Sequence, residues 1–170
     1  IALARAVACF DAAIGANRPL RDERLAQAIS LRNTDPAAAL PLLHAVIELN
    51  PYCTQAYFER AQCLRKVGRR PESLPDLQKV LEVEPDTSRG KLVAAMLAFE
   101  QGHPEQAEPL FRRAIELDAT NSRALYGLAR ICIDTGRLDE AEQLLAAAAH
   151  IITDGVDVRP LQAEIEQKRQ

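Results

Sequence analysis

Small and apolar residues recur along this chain at spacings of four and three, which set them on one face of a helix. Ala107, Phe111 and Ala114 are the clearest set, within the stretch from Glu105 to Leu117. The set returns every 34 residues: Ser73, Leu77 and Val80 before it, Ala141, Leu145 and Ala148 after it, and Ala39, Leu43 and Val46 a further step back. Gly68, Gly102 and Gly136 keep the same interval, as do Ala61, Ala95 and Ala129, and Pro41, Pro75 and Pro109. A helix that recurs at a fixed period cannot bury its apolar face alone and must stack on copies of itself. The pattern predicts an all-α solenoid of antiparallel helix pairs.

Breaks in the pattern set the helix limits. Residues 1–17 read as the second helix of a truncated leading repeat, with Ala6, Phe10 and Ala13 in the same spacing and Pro19 ending it. Further helices are expected over 20–33, 36–49, 52–67, 71–83, 88–101, 104–117, 122–135 and 139–152. Asp35 is the expected cap of one of them, with Pro36 in the first position, where its missing N–H does no harm. The three periodic glycines close the first helix of each pair. Pro41, Pro75 and Pro109 fall near the start of second helices, where few backbone N–H groups have intrahelical acceptors, so clean starts are expected. A single domain over 1–170 then divides into the leading helix 1–17, a degenerate repeat 20–50, repeats 54–87, 88–121 and 122–155, and a last helix within 156–170. The degenerate repeat is one residue short, which leaves the face of its first helix unassigned. Val158, Leu161 and Ile165 form one stripe on the last helix, which is either a cap or the first helix of a further repeat. The chain opens at Ile1 inside a helical pattern and without Met, so a piece of a longer protein is expected.

A helix–turn–helix unit of this period resembles the tetratricopeptide repeat. The small residue of the first helix (Ala61, Ala95, Ala129), the turn glycine and the small–large–small triad of the second helix carry the resemblance. Pro51 and Pro85 match the proline between repeats, and Ala119 departs from it. Tyr57 and Leu125 match the bulky residue near the start of the first helix, and Lys91 departs from it. The resemblance is strong over 36–152. It implies a right-handed superhelix whose concave face is lined by the first helices, and a protein-interaction module without catalytic residues.

The same resemblance implies which residues line that face. In one repeat they are Gln55, Phe58, Gln62, Arg65 and Lys66. In the next they are Arg89, Leu92, Met96, Phe99 and Glu100, and in the third Arg123, Tyr126, Arg130, Ile133 and Asp134. Five of these are basic and two acidic, in a chain whose formal net charge is −3. The expectation is a basic, apolar groove for a partner segment with acidic and apolar groups, since the planar guanidinium suits carboxylates and Met and aromatic side chains adapt to apolar ones. Gly127, inside a first helix, either permits close packing or leaves room for a ligand. Some family members grip a C-terminal carboxylate with Lys, Asn and Arg; Glu59, Gln62, Val93 and Gly127 stand where such residues would serve, so that clamp is not expected.

Composition adds exclusions. Alanine and leucine carry the apolar content and there is no Trp, which suits close-packed helices. The mild negative charge gives no argument for nucleic acid, and the apolar runs are too short to enter a membrane as a span. His44, His103 and His150 have no metal-ligand spacing, and no glycine-rich phosphate loop occurs, so no metal, cofactor or catalysis is expected. Cys9, Cys53, Cys63 and Cys132 include no CxxC pair; reduced thiols are expected, a Cys53–Cys63 bridge being the alternative, and this usage favours the cytoplasm. The expected partner is another protein or peptide. Self-association into a scaffold and substrate recruitment within a larger enzyme are the alternatives.

Overall fold

A computed structural model describes residues 18–151 and 156–170; the leading helix expected over 1–17 lies outside them. The described elements are helices: α1 (Arg18–Leu31), α2 (Pro36–Leu49), α3 (Thr54–Lys66), α4 (Arg70–Val83), α5 (Ser88–Glu100), α6 (Pro104–Leu117), α7 (Ser122–Asp134), α8 (Leu138–Ala149) and α9 (Arg159–Arg169). No strand occurs among the described residues. They belong to two compact units, one ending at Val83 and one beginning at Glu84.

Local chemistry sets the helix ends. Asp35 accepts a hydrogen bond from the Ala38 N–H at 3.0 Å, and Thr87 and Asn121 cap α5 and α7 in the same way. The first helices α3, α5 and α7 end in one motif. Gly68, Gly102 and Gly136 have φ of 81°, 81° and 78°, and the next residue's N–H returns to the carbonyl five places back, as Arg69 does to Leu64 at 2.8 Å. The three prolines lie past the first turn, where an N–H would already have an intrahelical acceptor. Pro41, Pro75 and Pro109 are each the sixth residue of a helix that continues through them. Each removes one i→i−4 donor, but on an exposed face open to solvent. The helix expected over 20–33 ends two residues earlier, at Leu31, in the repeat that is one residue short.

The small–large–small triads form the core. Ala39, Leu43 and Val46 are fully buried in the first unit, as are Leu77 and Val80 with Ser73 beside them. In the second unit Ala107, Phe111 and Ala114, and Ala141, Leu145 and Ala148, are buried. A fully buried aliphatic side chain contributes about 1.5–3 kcal/mol, so the triads account for much of the stacking energy. Ala61, Ala95 and Ala129 have no exposure, as expected where two helices come close. Gly127 has a packing role: a Cβ there would lie 2.5 Å from two ring carbons of buried Phe111. Gly90 is tighter, since its Cβ would lie 2.0 Å from the Glu84 carbonyl oxygen. Cys53, Cys63 and Cys132 are thiols, and burial pushes Cys132 up to about 11.

Two polar devices join helices within the units. In the first, Arg32 and Glu59 form a buried ion pair at 2.8 Å between the end of α1 and the middle of α3. In the second, Asn121 donates to Ser88 Oγ at 2.9 Å, and that hydroxyl donates to the Ala114 carbonyl at 2.8 Å. This chain fixes the start of α5 against the end of α6 and the cap of α7.

Candidate partner-binding face

In the second unit the first-type helices α5 and α7 are neighbours. Helix α9 joins them: Glu164 accepts from Arg130 at 2.6 Å and Lys168 donates to the Ile133 carbonyl at 3.0 Å. Glu164 stands 34 residues after Arg130, so α9 takes the register of a further first helix. Met96 and Phe99 on α5 and Tyr126 on α7 are partly exposed. Leu92 and Ile133, expected on this face, are 2% and 1% exposed and belong to the core. Burial also removes Phe58 of the first unit, at 3% exposure, from the set of anchors.

The basic residues are not arranged as their sequence positions suggest. Arg89 pairs with Glu84 at 2.8 Å, a residue from the preceding turn. Arg130 pairs with Asp134 at 3.0 Å and with Glu164. Arg123 is partly exposed, near the start of α7. The expectation of a basic, apolar groove counted neither Glu84 nor Glu164, because both lie on elements outside the repeat positions considered. The face is instead a set of ion pairs around apolar side chains. Burial raises the Tyr126 hydroxyl above its usual range; Arg130 opposes that shift, and Asp157 and Glu164 add to it.

In the first unit, Lys66 donates to the Arg32 carbonyl at 3.3 Å and to Asn33 Oδ1. Burial and the neighbouring Arg70 lower Arg65 from its usual value. Gln62 is different: its Nε2 is buried and makes no hydrogen bond. Gln55 is partly exposed at the start of the same helix. Among the described residues, no group of three or more His, Cys, Asp or Glu is placed to hold a metal ion, and no helix is long and apolar enough to cross a membrane.

The second unit carries another cluster, between α6 and α8. Arg137 holds Glu108 with two bonds of 2.8 Å, and Arg112 bridges Glu108 and Glu140 at 2.8 and 2.7 Å. Arg137 is the main cause, with Arg112, that holds the Glu108 carboxyl down at about 2.

Sequence models described as tetratricopeptide repeat match residues 25–89, 64–121 and 98–165. The chain belongs to the tetratricopeptide repeat family. As a tetratricopeptide repeat (TPR) protein it is a helical-repeat solenoid and a protein-interaction module. Its fold is similar to that of YrrB, described as a TPR protein with an unusual peptide-binding site, with a TM-score of 0.52 and 19% identity over 94% of this chain and 83% of that one. It is also similar to MamA from Desulfovibrio magneticus RS-1, with a TM-score of 0.51 and 17% identity over 81% of this chain and 78% of that one. At these identities the likeness concerns the fold. None of the curated proteins compared with the chain matches it.

Proposed function

We propose that this TPR protein acts by holding a segment of another protein against the first-helix faces, without catalysing a reaction. The observation that carries this reading is the partial exposure of Met96, Phe99 and Tyr126 on adjacent first helices of the second unit. Apolar side chains of this size left partly exposed favour a partner that covers them.

The ion pairs refine what the partner offers. Arg89 and Arg130 already hold carboxylates, so an acidic partner group must exchange with one of those. The partner therefore contributes apolar anchors first, and acidic groups set its register.

Photo-crosslinking tests this. A benzophenone side chain is placed at Phe99, and a control at Arg113, which is exposed on α6 and pairs with Glu116. The expected result is a discrete cross-linked protein from position 99 only. The purified partner then binds the Phe99→Ser, Arg123→Glu double variant at least about tenfold more weakly, while far-ultraviolet circular dichroism is unchanged. Equal capture from position 113, or full affinity of the double variant, overturns the reading.

A further inference from the structure

The second compact unit begins at Glu84, and it secures both of its own ends. At the start, short-range bonds lock the chain onto the first turn of α5. Thr87 Oγ1 donates to the Glu84 carbonyl at 3.1 Å and accepts from the Gly90 N–H at 3.1 Å. Arg89 pairs with Glu84 and Lys91 with Asp86, each at 2.8 Å. The missing side chain of Gly90 leaves room for the Glu84 carbonyl, which lies 2.0 Å from where a Cβ would stand. Ser88 then ties this turn to the Ala114 carbonyl and to Asn121. All of these partners belong to the second unit.

At the other end, α9 buries Val158, Leu161 and Ile165. It bonds to α7 through Glu164 and Lys168 and to α8 through Arg169. Its opposite side carries Arg159, Gln162, Glu166 and Gln167, all exposed. The same places 34 residues earlier hold Leu125, Leu128, Cys132 and Ile133, all buried. Helix α9 therefore takes apolar cover on one side only, as the terminal element of a helical stack does. Helix α5 differs from α7 in the same sense. Its Ala94, Leu97 and Ala98 are partly exposed in the whole chain, whereas their counterparts Leu128, Ile131 and Cys132 are 1%, 1% and 0% exposed. Two of the three are alanines, so this side of α5 contributes little to the core.

We infer that the second unit is an autonomous folding unit, which keeps its native structure when the first unit is unfolded. The stability of a helical-repeat chain is a sum of terms from units and their neighbours. A segment that supplies both of its own ends opens and closes as a separate cooperative unit. Its length permits this, since domains of about 55–65 residues already fold alone. Met96, Phe99 and Tyr126 all lie within it. Opening of the first unit is then a conformational freedom that leaves their face formed. The inference does not rest on the partner reading, and either can fail without the other.

The test is urea unfolding of the full chain, followed through methyl signals by nuclear magnetic resonance. Val46, Leu77 and Val80 report on the first unit, and Met96, Leu145 and Ile165 on the second. Leu43, fully buried in the first unit, is replaced by alanine. The expected result is a midpoint lower by about 1 M or more for the first set, with the midpoint of the second set unchanged. If Leu43→Ala leaves the first unit unfolded without urea, the second set is expected at its native positions. The milder Leu43→Val serves if that variant precipitates, and the same outcomes decide. A midpoint of the second set that falls together with the first, or loss of its native signals in either variant, overturns the inference.

Discussion

At the residue scale, the glycines show how packing overrides local preference. A glycine within a helix costs about 1 kcal/mol relative to alanine, so Gly127→Ala should stabilise an isolated α7. Here the added Cβ meets Phe111 ring carbons at 2.5 Å, and that ring is 3% exposed and cannot swing away. Overpacking of a core costs about 1–3 kcal/mol, which outweighs the gain. Gly127→Ala is therefore expected to lower the unfolding free energy by a net of about 1 kcal/mol, read as a lower urea midpoint; a higher midpoint would show open space beside the helix. Gly127 stood out in the sequence as a glycine in a helix, but its neighbour Phe111 lies in a different element, and only the fold joins them. Gly90 gave no signal at all. It occupies the place of Ala56 and Ala124 in the other repeats, and its closeness to the Glu84 carbonyl depends on the path of the preceding turn.

The helices themselves were largely legible, because their signals are local and repeated. A turn glycine at positive φ, a proline start and a triad at spacings of four and three each act within about two helical turns, and the period confirms them. What was not legible is the pairing of charge between elements. Arg32 with Glu59, Arg89 with Glu84 and Arg130 with Glu164 each join a repeat position to a residue on a loop or another helix. The cluster between α6 and α8 is of the same kind and has a consequence for pH. Glu108 ionises at about 2 in the folded chain against an ordinary 4.5. Its contribution to stability is complete above the ordinary value and is lost as pH falls toward the folded one. Melting temperatures between about pH 5 and pH 2.5 should fall more steeply for the native chain than for Glu108→Gln, which lacks the titrating group. Parallel curves would mean that Arg137 and Arg112 do not hold this carboxylate in solution.

For the whole molecule, the repeat identity follows from the period, whereas the character of the proposed binding face follows from burial. Phe58 and Leu92 have the composition of anchors but serve the core, and Arg89 and Arg130 meet Glu84 and Glu164, which their own repeats do not contain. The chain thus presents Met96, Phe99 and Tyr126 within a nearly balanced set of charges, which directs attention to apolar partner groups. Met96 is the single methionine, so a chain labelled at the methionine methyl gives one signal, placed on the face at issue. Titration with the binding fragment of the cross-linked partner is the most direct test. The account predicts that the Met96 signal shifts and saturates at the affinity measured by calorimetry. Calorimetric binding that leaves the Met96 signal unmoved would contradict it.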